Sequence, residues 1–279
     1  MNTIVKNILK YHQCNVSIFN NGYIFNYENI NVTYTYIAKN ACTSIKKTLG
    51  IANGNLTIND CPHNHDGLKT FSANNILKST KLIVLRNPFK RLVSAFLDKI
   101  ATPQEQNVGL EGNKNIFKSQ GKKEDEINDL IKSNTTATFL EFVQYLSKTP
   151  DIYLNEHWKS QSSSCLLDEY DLIFPLERLE ERWNNSILSK YPIIKMDKHT
   201  TNYGKEIIHD TNLFGSEDIC LLPANVIVSK LRESRISIDK NLFFKNNEVR
   251  KLFMNRFADD IIIYKNLFPK LAEEEFFPI

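Results

Sequence analysis

The sequence predicts an α/β fold with a central, mainly parallel sheet flanked by helices. Two segments carry that prediction, because in each a strand signal runs directly into a helix signal, at residues 31–49 and 82–100. Strands joined through helical crossovers place a ligand crevice outside their carboxyl ends. With 279 residues, 42% of them hydrophobic and 24% charged, the chain can bury a sizeable core. One domain over residues 1–279 is expected.

Residues 31–37 (NVTYTYI) are rich in β-branched and aromatic types and read as a strand. In the following AKNACTSIKKTLG, Ala41, Ile45 and Leu49 recur at helical spacing, with Asn40 as the expected N-cap and Gly50 as the expected C′ residue. The second unit is KLIVLRNPFKRLVSAFLDKI. Its run over 82–85 is the continuous apolar pattern of a buried parallel strand, Asn87 is placed to cap, and Pro88 suits the first helical position. Phe89, Leu92, Val93, Phe96, Leu97 and Ile100 then form one apolar stripe, with Lys90, Arg91, Ser94 and Asp98 on the other faces.

Residues 102–136 turn polar and rich in Gly, Asn and Lys, and are expected to form a mobile excursion with a short helix, anchored by Ile116, Phe117, Ile127, Leu130 and Ile131. Thr138 and Glu141 have capping-box spacing ahead of an amphipathic helix. Residues 171–174 read as a strand, and Leu176, Leu179, Trp183 and Ile187 as the buried stripe of the next helix. A terminal helix is expected over 248–267, with Val249, Leu252, Phe253, Phe257 and Ile261 inward.

Composition narrows the function classes. No stretch approaches the roughly 20 apolar residues of a membrane-spanning helix. The amino-terminal apolar residues are interrupted by Lys6, Lys10, His12 and Gln13, which is unlike a signal peptide. A cytoplasmic protein is therefore expected. Cys14, Cys42, Cys61, Cys165 and Cys220 are odd in number and contain no CxxC pair, so they read as free thiols rather than a disulfide framework or a zinc site. A formal charge of +3 and a pI near 8.4 suit an anionic ligand and fall short of a nucleic-acid-binding profile.

The turn KNACTS sets a lysine, a run of backbone amides and the hydroxyls of Thr43 and Ser44 at a helix N-terminus just after a strand. Unsatisfied amides and the helix dipole both favour an anion there. The turn has no glycine and does not match the GxxxxGK[ST] phosphate loop. Taken alone, it reads sooner as an ordinary capped helix with a solvated lysine. Arg86 stands at the second strand end with Ser94 on the helix that follows; a guanidinium fork grips phosphate, and a hydroxyl adds a donor. Two anion sites on neighbouring strand ends point to a nucleotide bearing phosphates at two positions.

These segments resemble the carbohydrate sulfotransferase family. TYIAKNACTSIKKTL is similar to that family's 5′-phosphosulfate loop, PKNACTSWK, and KLIVLRNPFKRLVSAFLDKI to its 3′-phosphate motif, RDPFERLLSAYRDK. TFLEFVQYL, NEHWKSQ, YDLIFPLERLEE and MNRFADDIIIYKNL follow in the family's order, so the resemblance covers most of the chain from about Tyr34. Ala38 stands for the usual proline, Ile45 for the usual tryptophan and Asn87 for the usual aspartate. The resemblance implies a P-loop-like sulfotransferase fold and transfer of a sulfuryl group from 3′-phosphoadenosine-5′-phosphosulfate (PAPS) to a carbohydrate hydroxyl, releasing 3′-phosphoadenosine-5′-phosphate (PAP) without a metal. It further implies that Lys39 and the amides of Asn40, Ala41, Cys42, Thr43 and Ser44 hold the 5′-phosphosulfate, and that Arg86 and Ser94 hold the 3′-phosphate. Lys39 would also stabilise charge on the breaking bond.

A sugar hydroxyl needs a base, and His157 of NEHWKSQ is the first candidate, with His63 and His65 of CPHNHDG as competitors. The alternative for His157 is a half-buried structural residue beside Trp158. His65 and Glu177 are also candidates for binding the acceptor, Glu177 equally for a salt bridge. Lys159, Arg178, Lys198 and Lys205 would suit an anionic oligo- or polysaccharide acceptor, or simply be solvated charges. A kinase on a related core would need the absent phosphate loop and magnesium-binding carboxylates. A catalytically silent binding protein of the same fold is the third reading. The lack of an apolar anchor segment differs from Golgi members of the family, which implies either a bacterial cytoplasmic enzyme or a trimmed chain; the abundance of Asn, Lys and Ile favours the bacterial one.

Overall fold

The computed structural model describes Lys6 and residues 24–62, 73–102, 107–167, 169–196, 204, 206–215 and 217–275. In chain order these include β1 (Ile24–Tyr27), β2 (Val32–Thr35), α1 (Cys42–Ala52), α2 (Ala73–Lys78), β3 (Thr80–Leu85), α3 (Pro88–Ala95), α4 (Asn107–Ser119), α5 (Glu124–Lys132), α6 (Phe139–Lys148) and β4 (Leu172–Pro175). They continue with α7 (Leu179–Asn184), β5 (Ile207–Ile208), α8 (Ala224–Ser234), β6 (Ser237–Ile238), α9 (Asn247–Arg256) and α10 (Ala258–Leu267). The chain groups into two compact units. One comprises Met1–Pro88, Ser160–Asp197 and Asp259–Pro278; the other comprises Phe89–Lys159 and Lys198–Ala258.

The first unit holds a four-stranded sheet in the order β1-β2-β3-β4. β1 and β2 are antiparallel, joined through Asn31 in a left-handed conformation that asparagine tolerates. β2, β3 and β4 are parallel, with Thr35 opposite Ile83 and Leu85 opposite Pro175. Their carboxyl ends therefore face one way; Lys39 lies four residues past β2, Arg86 directly past β3 and Glu177 two residues past β4. Both faces of β3 are covered. Leu82 and Val84 pack with Tyr34, Ile45, Leu49, Phe174 and Trp183, whereas Ile83 and Leu85 pack with Ile37, Cys165 and Ile263. Burial on both faces is the reason for the unbroken apolar run.

In the second unit α6 packs on α9 around buried Phe89, Phe96, Phe139, Phe142, Phe243, Phe244 and Phe253. Phe89 and Phe253 stack at 4.4 Å, and Phe96 meets Phe139 edge-on at 5.1 Å, geometries that aromatic pairs prefer. The expected capping box forms: Glu141 N donates to Thr138 Oγ1 at 3.2 Å, and Thr138 N to Glu141 Oε2 at 2.9 Å. The α3 stripe is buried as expected, and the helix continues as a π-helical turn over Phe96–Ile100.

Several local expectations are corrected. Asn40 is not the N-cap of α1; Ala41 is, and it closes the helix with no side chain. Gly50 lies inside α1, which runs on to Ala52, and a Cβ there would meet the Leu56 side chain, so close packing rather than a left-handed cap accounts for the glycine. Ile187 is 61% exposed, because α7 ends at Asn184. The terminal helix is two helices that part at Phe257, whose ring is buried. Residues 107–132 carry two helices, α4 and α5, rather than one short helix, anchored by buried Ile116, Phe117 and Ile127. Among the described residues no helix is long and apolar enough to cross a membrane.

Candidate functional site

Beyond β2 the backbone takes a left-handed conformation at Lys39 (φ 70°) and again at Ala41 (φ 56°). Each such residue costs about 1–2 kcal/mol without glycine, so the surroundings must hold the turn. Asn40, fully buried between them, does so: its Nδ2 donates to Val84 O at 2.8 Å and to Gln161 Oε1 at 2.6 Å. The asparagine is thus occupied with its own sheet, and α1 opens on an alanine whose side chain has no acceptor to offer the first-turn amides. A turn of this kind concentrates backbone N–H groups into an anion-binding concavity, reinforced by the positive end of α1. Ser44 Oγ accepts from Met196 N at 3.3 Å, and Thr48 Oγ1 from Ile194 N at 2.9 Å, so residues 194–196 strap the outer face of the helix. The Lys46 ammonium lies over the rings of Phe25 and Tyr36, at 5.0 and 5.1 Å.

Arg86 follows directly from β3. Its Nη1 donates to Lys39 O at 2.9 Å, which joins the two stretches that sequence reading assigned to separate anion sites. Its backbone is held on both sides by one side chain: Arg86 N donates to Gln161 Oε1 at 3.0 Å, and Gln161 Nε2 donates to Arg86 O at 2.8 Å. Glu177, just past β4, accepts from Asn87 N at 3.0 Å and from Tyr264 Oη at 3.0 Å. The carboxylate therefore fixes the start of the turn into α3.

In the second unit, His157 is half-buried. Asn155 Oδ1 accepts from the His157 backbone N–H at 3.1 Å and lies 2.6 Å from His157 Nδ1. Because that backbone group can only donate, the asparagine atom is its oxygen, and Nδ1 is the ring nitrogen that donates to it. The loop is clamped by Arg91, only 2% exposed, whose Nη1 donates to Lys159 O at 2.8 Å and Nη2 to Glu156 O at 3.1 Å. Sequence reading set Arg91 off the apolar stripe; the structure buries it there against two backbone carbonyls. Lys159 is itself buried, and burial holds its ammonium below the usual lysine range, with Arg91 adding to the effect and Asp151 and Glu156 opposing it. Ser94 is buried on α3. Trp158 packs edge-on to Phe142 at 5.8 Å.

His63, His65, Lys198 and Lys205 lie outside the described residues. Asn155, Gln161 and Arg91 were missed as site residues by sequence reading. Asn155 had a signal, being an amide two positions before the candidate base; Gln161 closes the HWKSQ stretch.

A family model described as "Sulfotransferase family" matches residues 22–205. Carbohydrate sulfotransferase 8 of Homo sapiens is 31% identical over 169 residues, covering 55% of this chain and 39% of that protein. Carbohydrate sulfotransferase 11 of Rattus norvegicus is 29% identical over 176 residues, covering 56% and 49%. Carbohydrate sulfotransferase 9 of Homo sapiens is 28% identical over 194 residues, covering 61% and 43%. The chain thus spans less than half the length of each of these relatives. No solved structure matches it.

Proposed function

The chain belongs to the sulfotransferase family, and on that premise we propose that it transfers a sulfuryl group from PAPS to a hydroxyl of an oligo- or polysaccharide. The supporting observation is the pairing at the sheet edge: a turn with two left-handed residues, Lys39 and Ala41, at the mouth of α1, and the Arg86 guanidinium 2.9 Å from Lys39 O. The donor set suits a nucleotide with phosphates at two positions, offering backbone amides at a helix N-terminus, one ammonium and one guanidinium. Lys39 and the amides from Asn40 to Ser44 take the 5′-phosphosulfate, and Arg86 with Ser94 takes the 3′-phosphate.

Sulfur–oxygen cleavage leaves negative charge on the oxygen that stays with the phosphate, and the Lys39 ammonium stabilises it as it develops. His157 Nε2 accepts the proton of the acceptor hydroxyl during attack, while Asn155 keeps Nδ1–H pointed away and the ring oriented. Glu177 works on the protein side, through Asn87 N. Lys159 is buried, and its carbonyl, with that of Glu156, is where Arg91 holds the His157 loop.

Two predictions follow from these roles. Titration of the wild type should show PAP binding well above AMP and ATP, and Arg86→Ala should reduce the preference for PAP over AMP by about 10–100-fold; an unchanged preference would remove Arg86 from the 3′-phosphate. Asn155→Asp places a carboxylate against His157 Nδ1–H. The negative charge favours the imidazolium, so the acid limb of the kcat/KM profile should move to higher pH by about 1–3 units. An acid limb that stays in place, or moves down, would separate Asn155 from the base.

A further inference from the structure

One buried carboxamide ties the two anion-binding stretches together. Gln161 is 3% exposed and uses both ends of its side chain: Oε1 accepts from Asn40 Nδ2 and from Arg86 N, and Nε2 donates to Arg86 O. Its own backbone is held in turn. The N–H groups of Gln161 and Ser162 donate, each at 2.8 Å, to the two oxygens of Asp260, a carboxylate 2% exposed on α10. One helical turn further, Tyr264 on the same face of α10 donates to Glu177, whose other oxygen holds Asn87 N. α10 thus reaches both strand-end segments through an intermediary: the turn at Asn40 and Arg86 through Gln161, and Asn87 through Glu177.

We propose that Gln161, held by Asp260, is a positioning residue of the donor site that sets the spacing between the Lys39–Asn40–Ala41 turn and Arg86. The proposal rests on the donor reading above. Left-handed Lys39 and Ala41 persist only where the surroundings over-determine them, and Asn40 is the buried pin between them. Its side chain has two acceptors, a carbonyl of the sheet and Gln161. Without the carboxamide, the turn and the strand end keep their charges and the Asn40–Val84 and Arg86–Lys39 bonds, but lose the buried link that sets their separation. A ligand that bridges both loses affinity; one that touches only one does not.

This predicts a difference between two ligands that a purely structural role would not produce. Gln161→Met, similar in length and without hydrogen bonds, should weaken PAP binding by about tenfold or more while AMP binding changes less than about threefold, both titrated well below the melting temperature. Should that variant fail to fold, Asp260→Asn keeps the shape, turns one acceptor into a donor facing a backbone N–H, and should give the same asymmetry to a smaller degree. Equal weakening of PAP and AMP, or PAP affinity within twofold of wild type, would overturn the positioning role while leaving the donor reading intact. Wild-type protein without preference for PAP would overturn the donor reading, and this inference with it.

Discussion

Replacing Lys39 with alanine is expected to lower kcat for sulfuryl transfer by about 10²–10³-fold, the range for removing one preorganised donor from a developing charge. The charge that Lys39 meets is larger in the transition state than in bound PAPS, so the loss should fall on kcat more than on donor affinity. Two features keep the lysine in place: the left-handed backbone at residue 39 and the bond from Arg86 Nη1 to its carbonyl. Single-turnover rates at saturating PAPS separate the two effects. A rate within about threefold of wild type, with PAP affinity lost instead, would make Lys39 a binding residue only.

His157→Ala should lower kcat by about 10²–10⁴-fold and abolish the acid limb of the pH–rate profile, with PAP affinity close to wild type. The expectation follows from the tautomer. Asn155 Oδ1 engages Nδ1 at 2.6 Å, so in the neutral ring the lone pair sits on Nε2, the atom proposed as the base. A variant that retains the acid limb would hand the base role to another group, and His65 is then the next to replace.

The hydrophobic code made the sheet legible. β3 is covered on both faces, so its run of apolar residues could be read without knowing its neighbours, and α3 carries its stripe within a single stretch of sequence. Caps were less legible, because an asparagine before a helix can either close the first turn or turn its amide inward; Asn40 does the latter, drawn to Val84 O and Gln161. The break between α9 and α10 was hidden by an apolar pattern that continues through Phe257. Helical spacing set Arg91 off the apolar stripe without showing what meets it there; the carbonyls of Glu156 and Lys159 do. Lys39 and Arg86 were singled out from motif resemblance and local chemistry, and the structure bonds one to the other. The Gln161–Asp260 contact joins residues 99 apart in sequence, and no local period reports such a pair.

The decisive measurement is transfer of labelled sulfate from PAPS to a panel of glycans, with products identified by mass spectrometry. A sulfate ester on a sugar hydroxyl, formed by the wild type and lost in Lys39→Ala, is the predicted result. Sulfate found only on lipids, phenols or peptides, or no transfer to any acceptor by protein that binds PAP, would contradict carbohydrate sulfation as the function of this chain.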